Sequence, residues 1–136
     1  MTLDEEECWR RLHRARHGVL STVHPRRGVD AVPAVFVVAD RRIVIPVDTV
    51  KAKRHLRLRR MANTATDPRC VLLVDRYHAD WSELWWVRVH ATARATDDPS
   101  PWAAALAERY PPYRAPGSLA GALVLEPTEV SGWRAG

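Results

Sequence analysis

Both lysines of the chain, Lys51 and Lys53, fall inside one decapeptide, Lys51 to Arg60 (KAKRHLRLRR). Six of the 21 basic residues lie there and no acid does; the other 15 face 16 acids across the rest of the chain. The whole net charge of +5 therefore sits in ten positions. A concentration of that kind marks an anionic partner: a phosphate, a polyanionic tail or a nucleic acid. Just upstream, Pro46-Val47-Asp48-Thr49-Val50 has the pattern of a strand end running into a helix. Free amides at a helix start, the helix dipole and the flanking Lys51, Lys53 and Arg54 together make a phosphate site. Thr49 supplies a hydroxyl donor or caps the helix. A solvated helix face is the plainer alternative. Confinement of both lysines to this junction favours anion binding.

A second constellation is Trp81-Ser82-Glu83-Leu84-Trp85-Trp86-Val87-Arg88-Val89-His90. On a strand, side chains alternate between faces. Trp85, Val87, Val89 and Ala91 share an apolar face, which belongs to a core. Trp86, Arg88 and His90 share the other. An aromatic and a cation two residues apart suit a planar anionic ligand or a subunit interface.

Other candidates carry less. His13 and His17 stand four apart on a predicted helix, with no third ligand beside them, so a solvated face is expected and no metal site. Ser21 and His24 are too close on one strand to form a triad, and no Gly-x-Ser-x-Gly elbow, Gly-rich phosphate loop or dinucleotide fingerprint is present. Hydrolase, kinase and Rossmann readings fall away. Cys8 and Cys70 have neither disulfide nor metal spacing and are expected to be buried as small hydrophobes.

The elements that must position these residues follow from periodicity. A helix is predicted over 3–16, with Thr2 and Glu5 at capping-box spacing, Cys8, Leu12 and Ala15 as its apolar stripe, and Gly18 as its stop. Strands are predicted over 18–23, 31–38 and 43–47, as an antiparallel meander with short loops. Pro33 and Pro46 lie inside the second and third and require an edge or a bulge. A helix is predicted over 52–65, ended by Asp67-Pro68, with Arg54, Arg57 and Arg60 lining one solvent-facing side. Strands over 70–75 and 84–95, a helix over 101–110 capped by Ser100-Pro101, and one or two strands over 121–125 and 129–133 complete the chain.

The 136 residues are 46% apolar and 27% charged, which is globular composition and suggests one domain over 1–136. The longest uncharged apolar run, Ala31 to Ala39, is about half of the roughly 20 residues a membrane span needs. The acidic start Asp4-Glu5-Glu6-Glu7 is unlike a secretory signal, so the cytoplasm is the expected location. Six or seven antiparallel strands with about three short helices suggest a mainly β chain, closed or nearly closed as a barrel.

The motifs, in their order, resemble a known family. Gly18-Val19-Leu20-Ser21-Thr22-Val23, Ala31-Val32-Pro33-Ala34-Val35-Phe36 and Pro46-Val47-Asp48 running into Lys51-Ala52-Lys53-Arg54 are followed by Leu58-Arg59-Arg60-Met61-Ala62-Asn63 and by Asp67-Pro68-Arg69-Cys70-Val71-Leu72-Leu73-Val74-Asp75. Asp80-Trp81-Ser82-Glu83-Leu84-Trp85-Trp86-Val87-Arg88 is the most specific, and Ser131-Gly132-Trp133-Arg134 closes the series. Over nearly its whole length the chain resembles the pyridoxamine 5'-phosphate oxidase-like split β-barrels, and within them the actinobacterial oxidoreductases that depend on the deazaflavin coenzyme F420.

The resemblance implies a homodimer with two cofactor sites at the subunit interface and a small-molecule substrate. It places the cofactor phosphate on Lys51, Lys53 and Arg54, with Ala52 between them. The backbone of Pro46, Val47, Asp48 and Thr49 would line the ring's polar edge, and Pro33 and Val35 the groove floor. The partner subunit would supply the strand bearing Trp86 and Arg88. The residues alone do not choose between F420 and FMN. A basic surface reaching Arg57 and Arg60 suits the long polyanionic tail of F420 better than one terminal phosphate. The leading expectation is hydride transfer between reduced deazaflavin and an unsaturated small molecule, with the cofactor carrying the chemistry. An FMN-dependent oxidase or reductase, or a non-catalytic flavin or haem carrier, is the alternative. A nucleic-acid partner is disfavoured, because basic and aromatic residues are not interleaved across a sheet.

Overall fold

The computed structural model describes residues 1–48 and 60–136. Helix α1, Glu5–Arg14, starts at Asp4, whose side chain accepts from the Glu7 N–H at 2.8 Å. Thr2 is not the cap predicted for it: it lies in an isolated β-bridge opposite Trp133. Seven strands follow: β1 (Gly18–His24), β2 (Gly28–Ala34), β3 (Val37–Ala39), β4 (Arg42–Asp48), β5 (Arg69–Arg76), β6 (Trp85–Thr96) and β7 (Leu119–Arg134). Helix α2 occupies 60–66 of the described residues, and α3 is Ala103–Arg109. The part of the predicted basic helix over 52–59 lies outside the described residues.

All seven strands form one sheet in the order β2-β1-β5-β6-β7-β4-β3, and every pairing is antiparallel. The two edge strands, β2 and β3, are consecutive in the chain and joined only by Val35 and Phe36. A flat sheet of seven strands would hold its edges about 29 Å apart at strand spacings near 4.8 Å. The three peptide links from Ala34 to Val37 reach about 11 Å at most. The sheet must therefore curl until its edges meet, yet no ladder pairs β2 with β3. This is a barrel split along one seam. The expected meander is thus corrected: β1–β2 and β3–β4 are hairpins, but the predicted strand over 31–38 is two strands on opposite sides of the seam.

Residues facing inward form the main core, which includes Leu20, Leu72, Val87, Val89, Ile43, Ile45, Leu123 and Leu125. Cys8 and Leu12 of α1 plug one end of it with Ala15 packed against them, as the helical stripe predicted, and Trp9 joins them. Phe36, at the seam, is fully buried, and burying such a ring is worth about 1.5–3 kcal/mol. A smaller cluster lies outside the barrel, where Leu106 of α3 covers Val37, Val44 and Ala122. The asparagine of α2 closes the remaining side: the amide of Asn63 donates to Thr22 Oγ1 at 3.0 Å and to Asp30 Oδ2 at 2.9 Å. Asp30 is also forked by Arg27 at 3.1 and 2.8 Å.

Three local expectations are changed or narrowed. Gly18 does not stop α1, which ends at Ala15; it opens β1, where a Cβ would lie 2.7 Å from the Leu73 carbonyl oxygen. Of the one or two strands expected at the end of the chain the structure has one, with Thr128 as a bulge: the register slips between His90 and Ala91, and the Thr128 hydroxyl donates to the His90 carbonyl at 3.1 Å. The third predicted helix begins as a 3-10 turn, Ser100–Trp102, fastened by the Asp98 side chain accepting from Ser100 N–H at 3.0 Å. Among the described residues no helix is long and apolar enough to cross a membrane.

Candidate functional site at the seam

At the seam the curled sheet leaves a groove of about 250 Å³. One wall is the end of β2 and the link after it: Val32, Pro33, Ala34 and Val35. The facing wall is the end of β4: Ile45, Pro46 and Asp48. Their approach follows from strand length. β3 pairs with Arg42 to Val44 of β4, so among the described residues no strand pairs with β4 beyond Val44 on that side, and none pairs with β2 beyond β1. Both prolines fall on these free stretches, as their missing N–H demands.

The groove has an apolar body and a polar end. Asp48 is 5% exposed and accepts from the Tyr113 hydroxyl at 3.2 Å. Arg60 and His17 also line it. Asp48 and Arg60, the described residues that flank the basic run in the sequence, both line it. Arg60 is half-buried in this wall and not solvent-facing as its spacing suggested. His17 lies beyond the end of α1, not on a face of it.

Of the residues singled out from the sequence, the structure brings Pro33, Val35, Pro46 and Asp48 together in the groove. Val47 is half-buried beside them on β4. Thr49, Lys51, Ala52, Lys53 and Arg54 lie outside the described residues. Trp86 and Arg88 are elsewhere: they line a second depression of about 480 Å³ with Leu73, Tyr77, Leu84 and Trp133. The Arg88 guanidinium stacks over the Trp86 ring at 5.0 Å. The alternation expected of this strand holds, with Val87, Val89 and Ala91 buried on the opposite face.

The two sites share one surface. Register sets Pro33 opposite Val19, Val19 opposite Leu73 and Leu73 opposite Arg88. These four side chains form a row across the outer face of β2, β1, β5 and β6, spanning about 14 Å. Val19 and Leu73 are each 37% exposed, as is Trp133.

Sequence reasoning missed Tyr110 and Tyr113, and it read His17 as part of a solvated helix face. The tyrosines sit after a helix in a proline-rich stretch, Tyr110-Pro111-Pro112-Tyr113, which has the pattern of a mere terminator. In the structure this stretch is a strap. The Tyr110 phenol Oη lies 2.6 Å from the Phe36 carbonyl and 2.8 Å from the Arg16 carbonyl, and it accepts from Phe36 N–H at 3.3 Å. Arg109 reinforces it, donating to the His13 and Ala15 carbonyls at the end of α1.

Among the described residues, no three His, Cys, Asp or Glu side chains converge as a metal site would require. Cys8 and Cys70 are free and buried, and burial pushes the Cys70 thiol up to about 12.

A seven-stranded antiparallel barrel held open along one seam, with an apolar slot at the opening, defines the split-barrel class. The sequence model of the family named pyridoxamine 5'-phosphate oxidase matches residues 4–134, and the chain belongs to that family. No curated protein matches its sequence. Solved structures share the fold. An FAD binding protein from Mycobacterium smegmatis is 21% identical, with 99% of this chain and 98% of that one covered and a TM-score of 0.66. An FAD-binding protein from Mesorhizobium loti is 19% identical, with 97% and 95% covered and a TM-score of 0.69. HutZ, the haem storage protein of Vibrio cholerae, is 13% identical, with 96% and 93% covered and a TM-score of 0.67.

Proposed function

We propose that this protein holds a flavin-type ring in the seam groove and works as an F420-dependent oxidoreductase on a small unsaturated molecule. The observation that carries the reading is the groove itself. Its body, walled by Pro33, Val35, Ile45 and Pro46, is apolar, and its end, with Asp48, Arg60 and Tyr113, is polar. That pattern fits a planar ring with one polar edge. At about 250 Å³ the groove is at the small end of ligand pockets, so it suits the ring and leaves the rest of the cofactor outside. Lys51, Lys53 and Arg54 then take the phosphate, and the further cations of the decapeptide favour a polyanionic tail. When bound, the cofactor supplies the hydride chemistry. The chain's own residues hold the ring, orient it and exclude water from it.

The row Pro33, Val19, Leu73, Arg88 supports a homodimer. It carries apolar surface from the groove to the Trp86–Arg88 depression, and a second copy covering it would bring the partner's aromatic strand to the groove mouth. An FMN- or FAD-dependent protein of the same fold is the second reading, favoured by the FAD-binding neighbours.

Titration with F420, FMN and FAD, followed by tryptophan fluorescence, tests the reading. F420 is expected to bind most tightly, and the Lys51→Ala/Lys53→Ala variant to bind it roughly tenfold to a hundredfold more weakly. Affinity should fall as salt rises, because exposed ion pairs are screened over about 10 Å at 0.1 M. Arg42, paired with Glu126 on the far hairpin, is the control. Comparable FMN binding returns the protein to the second reading, and a folded double variant that binds normally removes the decapeptide from the site.

A further inference from the structure

The last turns of α1 and α3 meet beside β3, and a cleft of about 380 Å³ opens between them. It shares no lining residue with the seam groove. Two arginines tie its walls together in opposite directions. Arg16, just past α1, donates from Nη1 to the Arg109 carbonyl at the end of α3, at 3.0 Å. Arg109 donates back to the His13 and Ala15 carbonyls at the end of α1. Among the described residues no carboxylate pairs with either guanidinium. Carbonyl bonds orient a guanidinium but leave its charge in place. A helix end offers about half a negative charge, so two arginines exceed what the two ends neutralise. Glu108 lines the cleft as well, but it is exposed and screened by solvent.

The two heads are not equally open. Arg109 Nε is buried without a partner. Arg16 is exposed, and its bond to the Arg109 carbonyl leaves most of its N–H donors unused. Arg16 therefore meets a ligand, and Arg109 adds charge behind it. A fork of parallel N–H donors fits a carboxylate. The floor is of another kind: Val37, Val38 and Ala105 are apolar. A bare inorganic anion would leave that floor uncovered. We propose that this cleft binds a small carboxylic acid, with its carboxylate on Arg16 and a short apolar body over Val37, Val38 and Ala105. A volume of about 380 Å³ admits a ligand at the small end of the usual range. The proposal does not depend on what the seam groove holds.

Hexanoate, 1-hexanol and acetate separate the two halves of the site. Each is titrated by calorimetry into wild type, Arg16→Gln, Ala105→Glu and the Lys51→Ala/Lys53→Ala variant. Wild type is expected to bind hexanoate about tenfold more tightly than 1-hexanol, which lacks the charge, or acetate, which lacks the body. Arg16→Gln should weaken hexanoate by about ten- to a hundredfold, the range for a hydrogen bond to a charged group. Ala105→Glu, at an exposed position of α3, brings a like charge to the floor and should abolish binding. The double lysine variant should bind hexanoate as wild type does. Equal binding of hexanoate and 1-hexanol, acetate as tight as hexanoate, or no saturable binding to wild type overturns the proposal. So does unchanged binding in Arg16→Gln or in Ala105→Glu. Binding lost with the two lysines also overturns it, by assigning the anion to the decapeptide. Should Arg16→Gln not fold, Ala105→Glu decides, since glutamate is a good helix former.

Discussion

The hydroxyl of Tyr110 stands 2.6 Å from the carbonyl oxygen of Phe36, 74 residues away in the chain. Phe36 belongs to the two-residue link between the first and last strands of the sheet, so this contact pins the corner on which the curl of the barrel depends. Tyr110→Phe keeps the ring and removes the hydroxyl. It is expected to lower stability by about 1–3 kcal/mol, because the Phe36 backbone loses its partner in a part-buried place. Urea unfolding of the two proteins checks this, and a loss below a few tenths of a kcal/mol would relieve Tyr110 of the role.

Asn63 ties α2 to β1 and β2 through Thr22 and Asp30. Asn63→Ala should cost about 2 kcal/mol, from two lost hydrogen bonds, one of them to a carboxylate. The same network gives an acid response. The side-chain bond from Arg27, then that from Asn63, hold the Asp30 carboxyl down at about 2 from an ordinary 3.8. The folded state therefore binds fewer protons than the unfolded chain between those values. Its contribution is complete above pH 4 and is lost as pH falls from about 4 to 2. Asp67, held to about 2 by Arg69, titrates in the same window. Asp30→Asn should flatten the stability profile there without abolishing its slope, as read by urea midpoints across that range.

Cys70 gives the opposite sign. Burial raises its thiol from 9 to about 12, so between those values the folded state keeps a proton that the unfolded chain releases. Stability should fall as pH rises through that interval, and less so in Cys70→Ala. At pH 8 a thiol reagent should label neither cysteine in the native protein and both in urea. Labelling of Cys70 without unfolding would contradict its burial.

The proposed dimer face makes a further demand. Leu73 is 37% exposed on the outer side of β5, away from the main core, where an arginine can extend into solvent. Leu73→Arg should leave folding intact and shift sedimentation at micromolar concentration from dimer to monomer. A wild-type protein that sediments as a monomer would remove the dimer from the proposal.

Much of this arrangement was legible in the residues. Alternation from Trp85 to Ala91 placed one face inside and one outside, and the stripe of α1 marked its buried side. The seam was not legible. Ala31 to Val38 is apolar throughout, so no polar residue reports the slip in parity by which Phe36 and Val37, adjacent in sequence, are both buried. Strand periodicity can show that a residue belongs to a strand; it does not say which neighbour the strand will have. The pairing of β1 with β5 and of β4 with β7 is decided by contacts far apart in sequence. For the same reason the groove residues could be grouped only through resemblance, and the Tyr110–Tyr113 strap, whose partners are in a distant segment, left no local signal.

A barrel that stops short of closing has a hazard of its own. Free strand edges are templates on which a second chain can add, and runs rich in valine and isoleucine are the most prone to it. Here the stretches from Gly28 to Ala34 and from Ile45 to Asp48 flank the seam. Each contains one proline, Pro33 in β2 and Pro46 in β4. A foreign strand docking on either edge would find a donor missing from its ladder. The opening that makes room for a ligand is thereby kept from becoming a seed for aggregation.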